Sequence, residues 1–305
     1  MDNTPQRLHG AARLQDWGVI RASGPEARRF LQGQLTQDMN AVAEGQARLA
    51  GFCSAKGRLQ ASFVVWQASA EEFLLACSAD LLGATLKRLS MFVLRAKCKL
   101  SDSTAEVPLW GVAGAAELEQ LPVWSCGSAL GAKLIRLPDG ALDGQPVTRG
   151  LWAGTSAPTM PDLELETWRW LEASSGVPRI VAATVEQFVP QMVNLELVGG
   201  VDFQKGCYPG QEVVARSQYR GTLKRRAFVV LSEAPLQPGQ EVFPAGDAEQ
   251  PAGMVVLAGS HGARHNALVE LKIAATANAG SLHAGSVGGP ALTLAELPYS
   301  IPSAE

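Results

Sequence analysis

The sequence predicts an α+β fold in which antiparallel sheets and helices are followed by a small C-terminal β-barrel. In the first half of the chain, strand and helix patterns follow a β-β-β-α-β order, which favours antiparallel sheets with helices packed on one face. From Arg226 onward, short strand patterns are separated by Gly, Pro and Asn and no long helix intervenes. Such spacing is typical of a barrel, and we place the start of this domain near residue 225.

The first hundred residues alternate between strand and helix signals. Residues 17–22 predict a strand, and a helix begins near Pro25, because proline suits the first helical position and apolar residues then recur at helical spacing. The same order repeats more loosely over residues 109–137. The remaining elements of this region are strands at 49–53, 59–66, 73–77 and 96–100, a turn at 54–58 and a helix from Asp80.

The middle of the chain predicts a loop and then a helix. Residues 139–161 are rich in Gly, Pro, Ser and Asp, which is typical of loops. Residues 163–175 predict a helix, and Gly176 is a suitable C-terminal stop. The predicted barrel strands are 228–231, 241–243, 253–257, 267–273 and 290–294.

Composition and charge narrow the function classes. Of the 305 residues, 47% are hydrophobic, yet no apolar run approaches the length of a membrane span, and the N-terminus lacks the pattern of a secretory signal. The five cysteines are scattered without a Cys-x-x-Cys pair, so we expect reduced thiols, a cytoplasmic protein and no bound metal. The net charge of −3 argues against a globally basic nucleic-acid binder.

Polar chemistry is densest between Val201 and Arg216. The core of this stretch reads Lys205-Gly206-Cys207-Tyr208-Pro209-Gly210-Gln211-Glu212. A Pro-Gly turn followed by Gln-Glu-Val-Val-Ala-Arg predicts a loop that leads into a helix. The free N–H groups of the first helical turn would then lie beside Cys207.

Two interpretations of Cys207 are open on this evidence. A helix N-terminus and nearby cations stabilise a thiolate, and residues 205–226 carry six basic side chains against Glu212 alone. Cys207 would then be a reactive or ligating thiol. Alternatively it is a small buried hydrophobe, as free cysteines often are. Glu212 and Arg216 likewise form either a surface ion pair or part of an anion-binding cavity, and the run 220–226 either meets phosphate or is a solvated loop.

The string from Lys205 to Glu212, continued by Val213-Val214-Ala215-Arg216, resembles the signature of the YgfZ family. These are folate-binding proteins related to the aminomethyltransferase of the glycine cleavage system, the T-protein. The resemblance extends over most of the chain. Further segments that are similar to recurring segments of the family are 33–38, 53–59, 190–196, 199–201, Arg220-Gly221 and 224–226.

The resemblance implies a three-domain, T-protein-like ring around a central channel that binds tetrahydrofolate or another reduced folate. The implied domains are residues 1–47 plus 145–224 for folate binding, 48–144, and 225–305. It also implies an accessory role, non-catalytic or slow, in assembling or repairing [4Fe-4S] clusters of client enzymes. These clients include the radical enzymes that thiomethylate tRNA.

Individual roles are carried over from the same resemblance. Cys207 would be the functional thiol, with Lys205 beside it. Residues 168–173 are similar to the T-protein segment whose glutamate holds the pterin ring, which gives Glu172 that role, and a carboxylate suits it because it can accept two N–H donors. The other implied folate contacts are Gln191, Asn194, Tyr208, Gln211, Glu212, Arg216 and Arg226.

The sequence departs from the T-protein pattern in two respects. T-proteins carry an acidic pair after the glycine turn, where this chain has Ala61 and Ser62, and an asparagine where it has Cys77. Both departures argue against the alternative function, which is folate-dependent aminomethyl transfer. A third hypothesis, direct tRNA binding through the basic run, is disfavoured by the negative net charge.

Overall fold

The structure is a computed structural model that describes residues 8–219, 223–277 and 282–302. These residues form two five-stranded antiparallel sheets and a closed six-stranded barrel. None of their helices is long and apolar enough to cross a membrane.

The helices and strands are numbered in chain order. The α-helices are α1 (Ala27–Gln32), α2 (Ala79–Val93), α3 (Ala116–Glu119), α4 (Leu165–Ser174), α5 (Gln211–Tyr219) and α6 (Ile273–Ala277). The first ten strands are β1 (Gly10–Arg13), β2 (Trp17–Ser23), β3 (Ala47–Cys53), β4 (Leu59–Ser69), β5 (Glu72–Ser78), β6 (Lys99–Asp102), β7 (Leu109–Ala113), β8 (Cys126–Ala129), β9 (Ala132–Leu142) and β10 (Gln145–Ala153). The barrel strands are β11 (Arg225–Ser232), β12 (Glu241–Pro244), β13 (Gly253–His261), β14 (Arg264–Lys272), β15 (Leu282–Ala284) and β16 (Ala291–Ala295).

The first sheet has the strand order β3-β4-β5-β2-β6. Side chains along β4 alternate between its two faces, as the two-residue period of a strand requires. Phe63 and Val65 pack in one core with α1 and α2, whereas Val64 and Trp66 pack in another core with the second sheet. The predicted antiparallel sheet with helices on one face is confirmed here. The last strand, β6, begins three residues later than predicted, because residues 94–98 form a turn after α2.

The second sheet has the order β1-β7-β10-β9-β8. The loop predicted over residues 139–161 is wrong up to residue 153, whereas residues 154–161 lie outside helices and strands as predicted. Strands β9 and β10 form a hairpin there. Asp143 and Gly144, with φ of 53° and 72°, form the kind of two-residue turn that matches the twist of antiparallel strands. Position 140 of β9 requires glycine, because an added Cβ would come 2.7 Å from the carbonyl oxygen of Leu171 in α4. The glycines that suggested a loop therefore form the hairpin turn and the surface of β9 that packs on α4.

The sheets do not follow the domain limits expected near residues 47 and 144. Strand β2 lies on one side of residue 47, yet it pairs with β5 and β6 on the other side. Residue 144 lies at the turn between the paired strands β9 and β10. The domain limits near residues 47 and 144 stay a prediction. The strand pairing favours domains that each contain one complete sheet.

The closed barrel has the order β11-β14-β13-β12-β15-β16. Its first strand begins at Arg225, close to where the sequence places the start of this domain, and the domain limit itself stays a prediction. The sequence patterns did not reveal β15, which has only three residues. Phe228, Val230 and Val255 contribute to a core inside this domain, and Val229 packs with the segment around Phe188 outside it.

Helix α4 lies between the second sheet and the barrel and is buried along most of its length. Its predicted extent is confirmed, and Gly176 follows it with a φ of 67°. Two glycines permit the close approach on opposite sides. A Cβ on Gly111 would lie 2.3 Å from the Trp168 ring, and one on Gly259 would lie 2.1 Å from the backbone nitrogen of Trp170. The position of α4 is therefore fixed by both neighbours.

Gly259→Ala is expected to destabilise the protein by about 2 kcal/mol or more, because the new methyl group would overlap the backbone of α4. Gly83→Ala is the matched control. Gly83 lies within α2, where nothing surrounds the added Cβ within 4 Å, so this change should be neutral or stabilising by about 0.5–1 kcal/mol. Urea unfolding of both variants measures the difference. Equal effects of the two substitutions would contradict the close packing of α4 against β13.

Candidate functional site

The loop of residues 205–210, here called the thiol loop, carries Cys207 at the surface and leads into α5. The helix begins at Gln211, whose backbone N–H donates to the carbonyl of Tyr208 at 3.2 Å. The Gln211 side chain donates back to the carbonyl of Lys205 at 3.4 Å. These contacts confirm the predicted loop followed by a helix.

Lys205 anchors the start of the thiol loop. Its ammonium group donates to the backbone carbonyls of Gln32 and Leu35, each at 2.5 Å, and only 8% of the residue is exposed. Gln32 is the last residue of α1, so the cation lies where the carbonyl groups of a helix end are free. Burial lowers the pKa of Lys205 to about 8, against the opposing effect of Asp38, Asp202 and Cys207. Lys205 therefore remains mostly protonated at neutral pH, with its charge directed at α1.

The other end of the thiol loop packs on the turn of residues 54–58. Gly210 has a φ of 79°, and a Cβ there would lie 2.3 Å from the carbonyl oxygen of Ser54. In the turn, the Gly57 N–H donates to that same carbonyl at 2.8 Å. A side chain at either glycine would separate the two segments. Tyr208 is buried between these anchors, with its ring centroid 5.1 Å from the Lys205 Nζ atom.

Cys207 differs from the other four cysteines in its exposure. Cys53 and Cys77 are buried, and burial raises the pKa of each thiol to about 12. Burial also raises the pKa of Cys126 to about 11 and raises that of Cys98. Cys207 is exposed, so the interpretation of this residue as a small buried hydrophobe is wrong. It is the thiol most accessible to a reagent or a partner, since Cys98 and Cys126 are half-buried.

Most of the basic side chains that surround Cys207 in sequence have partners of their own. Arg216 forms an exposed ion pair with Glu212 at 2.7 Å, so the surface-pair interpretation of these two is confirmed. Arg225 pairs with Glu270 at 2.9 Å, and Arg226 pairs with Glu196. Arg220 lies outside the described residues. The charge counted over residues 205–226 therefore overstated the positive charge near Cys207. Glu196 and Glu270 lie outside that stretch of sequence, yet they neutralise Arg226 and Arg225.

Gln191, Asn194 and Arg226 form a buried network that joins three segments of the chain. The Gln191 side chain donates to the carbonyl of Val214 in α5 at 2.8 Å, and that of Asn194 donates to the carbonyl of Ala227 in β11 at 2.8 Å. Arg226 donates to the carbonyl of Gln191 at 3.0 Å. The structure thus places these three residues in the protein interior with protein partners. Their expected contact with folate stays a prediction.

Glu172 lies apart from these groups, at a central cavity between the two sheets. The cavity has a volume of about 20 Å³, and the residue is 4% exposed. Arg179 donates to both carboxylate oxygens of Glu172, from Nε and Nη2, each at 3.0 Å. The same guanidinium donates to Ser78 at 3.1 Å and to Asp16 at 3.2 Å. Glu172 and Arg179 are therefore a buried, bidentate ion pair.

Arg179 is the partner of Glu172 that sequence reasoning missed. The signal was present, since Arg179 lies within the otherwise apolar run Val177-Pro178-Arg179-Ile180-Val181. A cation in such a run is expected to be buried, and a buried cation needs a carboxylate partner. The cavity also contains an unused donor, because the indole nitrogen of Trp17 has no hydrogen-bond partner.

Comparison with known proteins identifies the family. The chain is 34% identical over 253 residues to the tRNA-modifying protein YgfZ of Edwardsiella ictaluri, covering 74% of this chain and 72% of the relative. It is 32% identical over 269 residues to the protein of the same name from Photorhabdus laumondii, covering 80% and 78%. The chain belongs to the YgfZ family. No family model matches the sequence.

The fold of this YgfZ-family protein is that of a T-protein. The aminomethyltransferase T of the glycine cleavage system from Bartonella henselae superimposes with a TM-score of 0.71, covering 96% of this chain and 86% of that one. The two sequences are 16% identical, so the likeness concerns the fold. It confirms the expected α+β, T-protein-like architecture with a C-terminal barrel.

The segments that resemble the YgfZ family are scattered in sequence but contact one another in the structure. The Thr36 hydroxyl donates to the carbonyl of Gly200 at 2.6 Å, and the Asp202 N–H donates to the Thr36 carbonyl at 2.9 Å. Lys205 reaches the carbonyl of Leu35, and Gly210 rests on Ser54. The family signature is therefore one structural unit that supports the thiol loop.

Alkylation of the native protein with iodoacetamide is expected to modify Cys207 first. The pKa of Cys126 is about 11, so at pH 8 only about one molecule in a thousand carries the Cys126 thiolate. Cys126 should therefore react more than tenfold more slowly than Cys207. Peptide mass spectrometry over a time course measures both rates. Cys207→Ala should remove the fast reaction and Cys126→Ala should leave it unchanged. Fast modification of any other cysteine would contradict the assignment.

Proposed function

We propose that this protein is a folate-binding accessory factor of the cytoplasm that acts in the assembly or repair of [4Fe-4S] clusters. Through its client enzymes it supports the thiomethylation of tRNA. The observation that carries the proposal is the exposed Cys207 at the centre of the YgfZ family signature, held by the buried Lys205 on one side and by the close packing of Gly210 on Ser54 on the other. The names of the relatives support the link to tRNA modification.

The cysteines indicate that a cluster would be cargo and not a resident group. A [4Fe-4S] cluster is normally held by four thiolates, whereas Cys207 is the only exposed cysteine of the five. Among the described residues, no group of three His, Cys, Asp or Glu side chains could hold a metal ion. Cys207 would therefore supply one thiolate to a cluster whose other ligands belong to the client enzyme.

The central cavity has suitable polar groups for a pterin ring but lacks the room in this conformation. Glu172 offers a carboxylate and Trp17 an unpaired N–H, which match the donors and acceptors of an aminopterin edge. A volume of about 20 Å³ accommodates roughly one water molecule, and Arg179 occupies both oxygens of Glu172. Folate binding at this cavity therefore requires Arg179 to move. After Arg179 left Glu172, Asp16 could still compensate its charge and the Ser78 hydroxyl could still accept one of its hydrogen bonds.

Aminomethyl transfer is the second candidate, and the T-protein fold favours it. The side chains after the 54–58 turn disfavour it. Ala61 is buried in the core of the first sheet, and the buried Ser62 hydroxyl accepts a hydrogen bond from the Ile180 N–H at 2.9 Å. Neither position supplies the carboxylate that T-proteins carry there.

Tetrahydrofolate is expected to bind the wild-type chain, and Glu172→Gln should weaken this binding about tenfold or more. The loss follows from replacing charge-assisted hydrogen bonds, which contribute about 1.5–3 kcal/mol each. Anaerobic calorimetric titration measures both affinities. Glu164→Gln, an exposed change just before the same helix, is the control and should bind as the wild type does. Melting temperatures establish that Glu172→Gln is folded.

Two results would contradict the folate proposal. One is the absence of binding to the wild-type chain, and the other is equal affinity of wild type and a folded Glu172→Gln. The same preparation distinguishes the two candidate functions. Formation of methylenetetrahydrofolate from an aminomethyl-lipoyl donor at ordinary enzyme rates would replace the accessory role with aminomethyl transfer.

A further inference from the structure

A second and much larger cavity, here called the barrel cavity, lies between the second sheet, α4 and the barrel. Its volume is about 650 Å³, within the range of about 300–1,000 Å³ that small-molecule sites occupy. It shares no lining residue with the central cavity. Trp170 and Ser174 border it from one face of α4, whereas Glu172 faces the central cavity.

The wall of the barrel cavity contains an apolar strip. Trp170 of α4 and Val229 of β11 lie in it, and Leu231 is 44% exposed at its edge. Such a strip can contact the apolar body of a ligand, which would remove the exposed side chain of Leu231 from water.

Acidic side chains dominate the charge of this cavity. Four carboxylates and one guanidinium line it: Asp139, Asp143, Glu233, Glu296 and Arg264. Asp139 pairs with Arg136, and Asp143 pairs with Arg264. Glu233 and Glu296 are exposed and have no ion-pair partner within the described part of the chain. The unbalanced charge favours a cationic ligand and disfavours an anionic one such as the glutamate tail of folate.

One cation of the chain itself, the guanidinium of Arg264, already lies at this cavity between a carboxylate and an aromatic ring. The Arg264 guanidinium lies 5.5 Å from the centroid of the Trp170 ring while it pairs with Asp143. A carboxylate beside an aromatic face is a favourable site for a planar cation. Arg264 is 47% exposed at the turn between β13 and β14, so this arrangement lies at the mouth of the cavity.

Asn266 adds an unused acceptor to the same wall. The residue is 1% exposed, and its side-chain nitrogen donates to the carbonyl of Trp170 at 3.0 Å. Its Oδ1 atom has no hydrogen-bond partner. A buried acceptor without a donor is costly, and an N–H group of a ligand would satisfy it.

We propose that the barrel cavity binds a small organic cation, an amidinium, guanidinium or ammonium group carried on an apolar or aromatic body. The cationic group pairs with Glu233 and Glu296, and the body lies along Trp170 and Leu231. This proposal is independent of the folate site, since the two cavities have no residue in common.

The test uses three probes of the same shape and different charge: benzamidine, benzamide and benzoate. Trp170 is one of seven tryptophans, and its indole N–H donates to the carbonyl of Ala141 at 2.9 Å, so its NMR signal reports on the cavity wall. We expect benzamidine to shift this signal saturably. Benzamide should bind about fivefold more weakly or worse and benzoate more weakly still, because they lack the positive charge.

Charge variants assign the effect to this cavity. The double substitution Glu233→Gln and Glu296→Gln should weaken benzamidine binding about three- to tenfold and leave benzamide binding unchanged, since each exposed ion pair contributes modestly. Glu249→Gln, an exposed barrel carboxylate outside the lining, is the control and should change nothing. Three results would overturn the proposal: no saturable shift with benzamidine, equal affinity for all three probes, or shifts confined to Trp17 and Trp124 of the central cavity.

Discussion

The buried ammonium group of Lys205 is the interaction on which the exposed site depends. A lysine with 8% exposure needs acceptors for its N–H groups, and the carbonyls of Gln32 and Leu35 supply two. Moving the loop would leave both the cation and the end of α1 without partners. Gly210 fixes the other end by its contact with Ser54. Cys207 therefore lies between Lys205, which cannot shift without leaving polar groups unsatisfied, and Gly210, which packs too closely on the 54–58 turn to carry a side chain.

Helix α4 relates the two cavities to each other. It carries Glu172 toward the central cavity and Trp170 toward the barrel cavity, and close contacts with Gly111 and Gly259 hold it in place. The two sites differ in charge. Arg179 neutralises Glu172 in the central cavity, whereas carboxylates outnumber cations in the barrel cavity. A folate bound at one site and a cation bound at the other would therefore not compete.

The sequence predicted features that depend on local patterns and missed those that depend on distant partners. The strands of the first sheet, α4 and the start of the barrel follow from period and punctuation within short windows. The hairpin at Asp143-Gly144 was predicted as a loop because glycine and proline are typical of loops. Here Gly144 forms the hairpin turn, and Gly140 lets β9 approach α4. The ion pairs of Arg225 and Arg226 join residues 30 to 45 positions apart, so a local count of charge could not reveal them.

Complementation by Cys207→Ala tests the central claim most directly. In a bacterial strain that lacks its own YgfZ protein, thiomethylated tRNA nucleosides are quantified after expression of the wild-type chain, Cys207→Ala or the control Cys126→Ala at equal protein levels. The account predicts restoration by the wild type and by Cys126→Ala, and no restoration by Cys207→Ala, because only Cys207 is exposed among the cysteines. Full restoration by Cys207→Ala would contradict it.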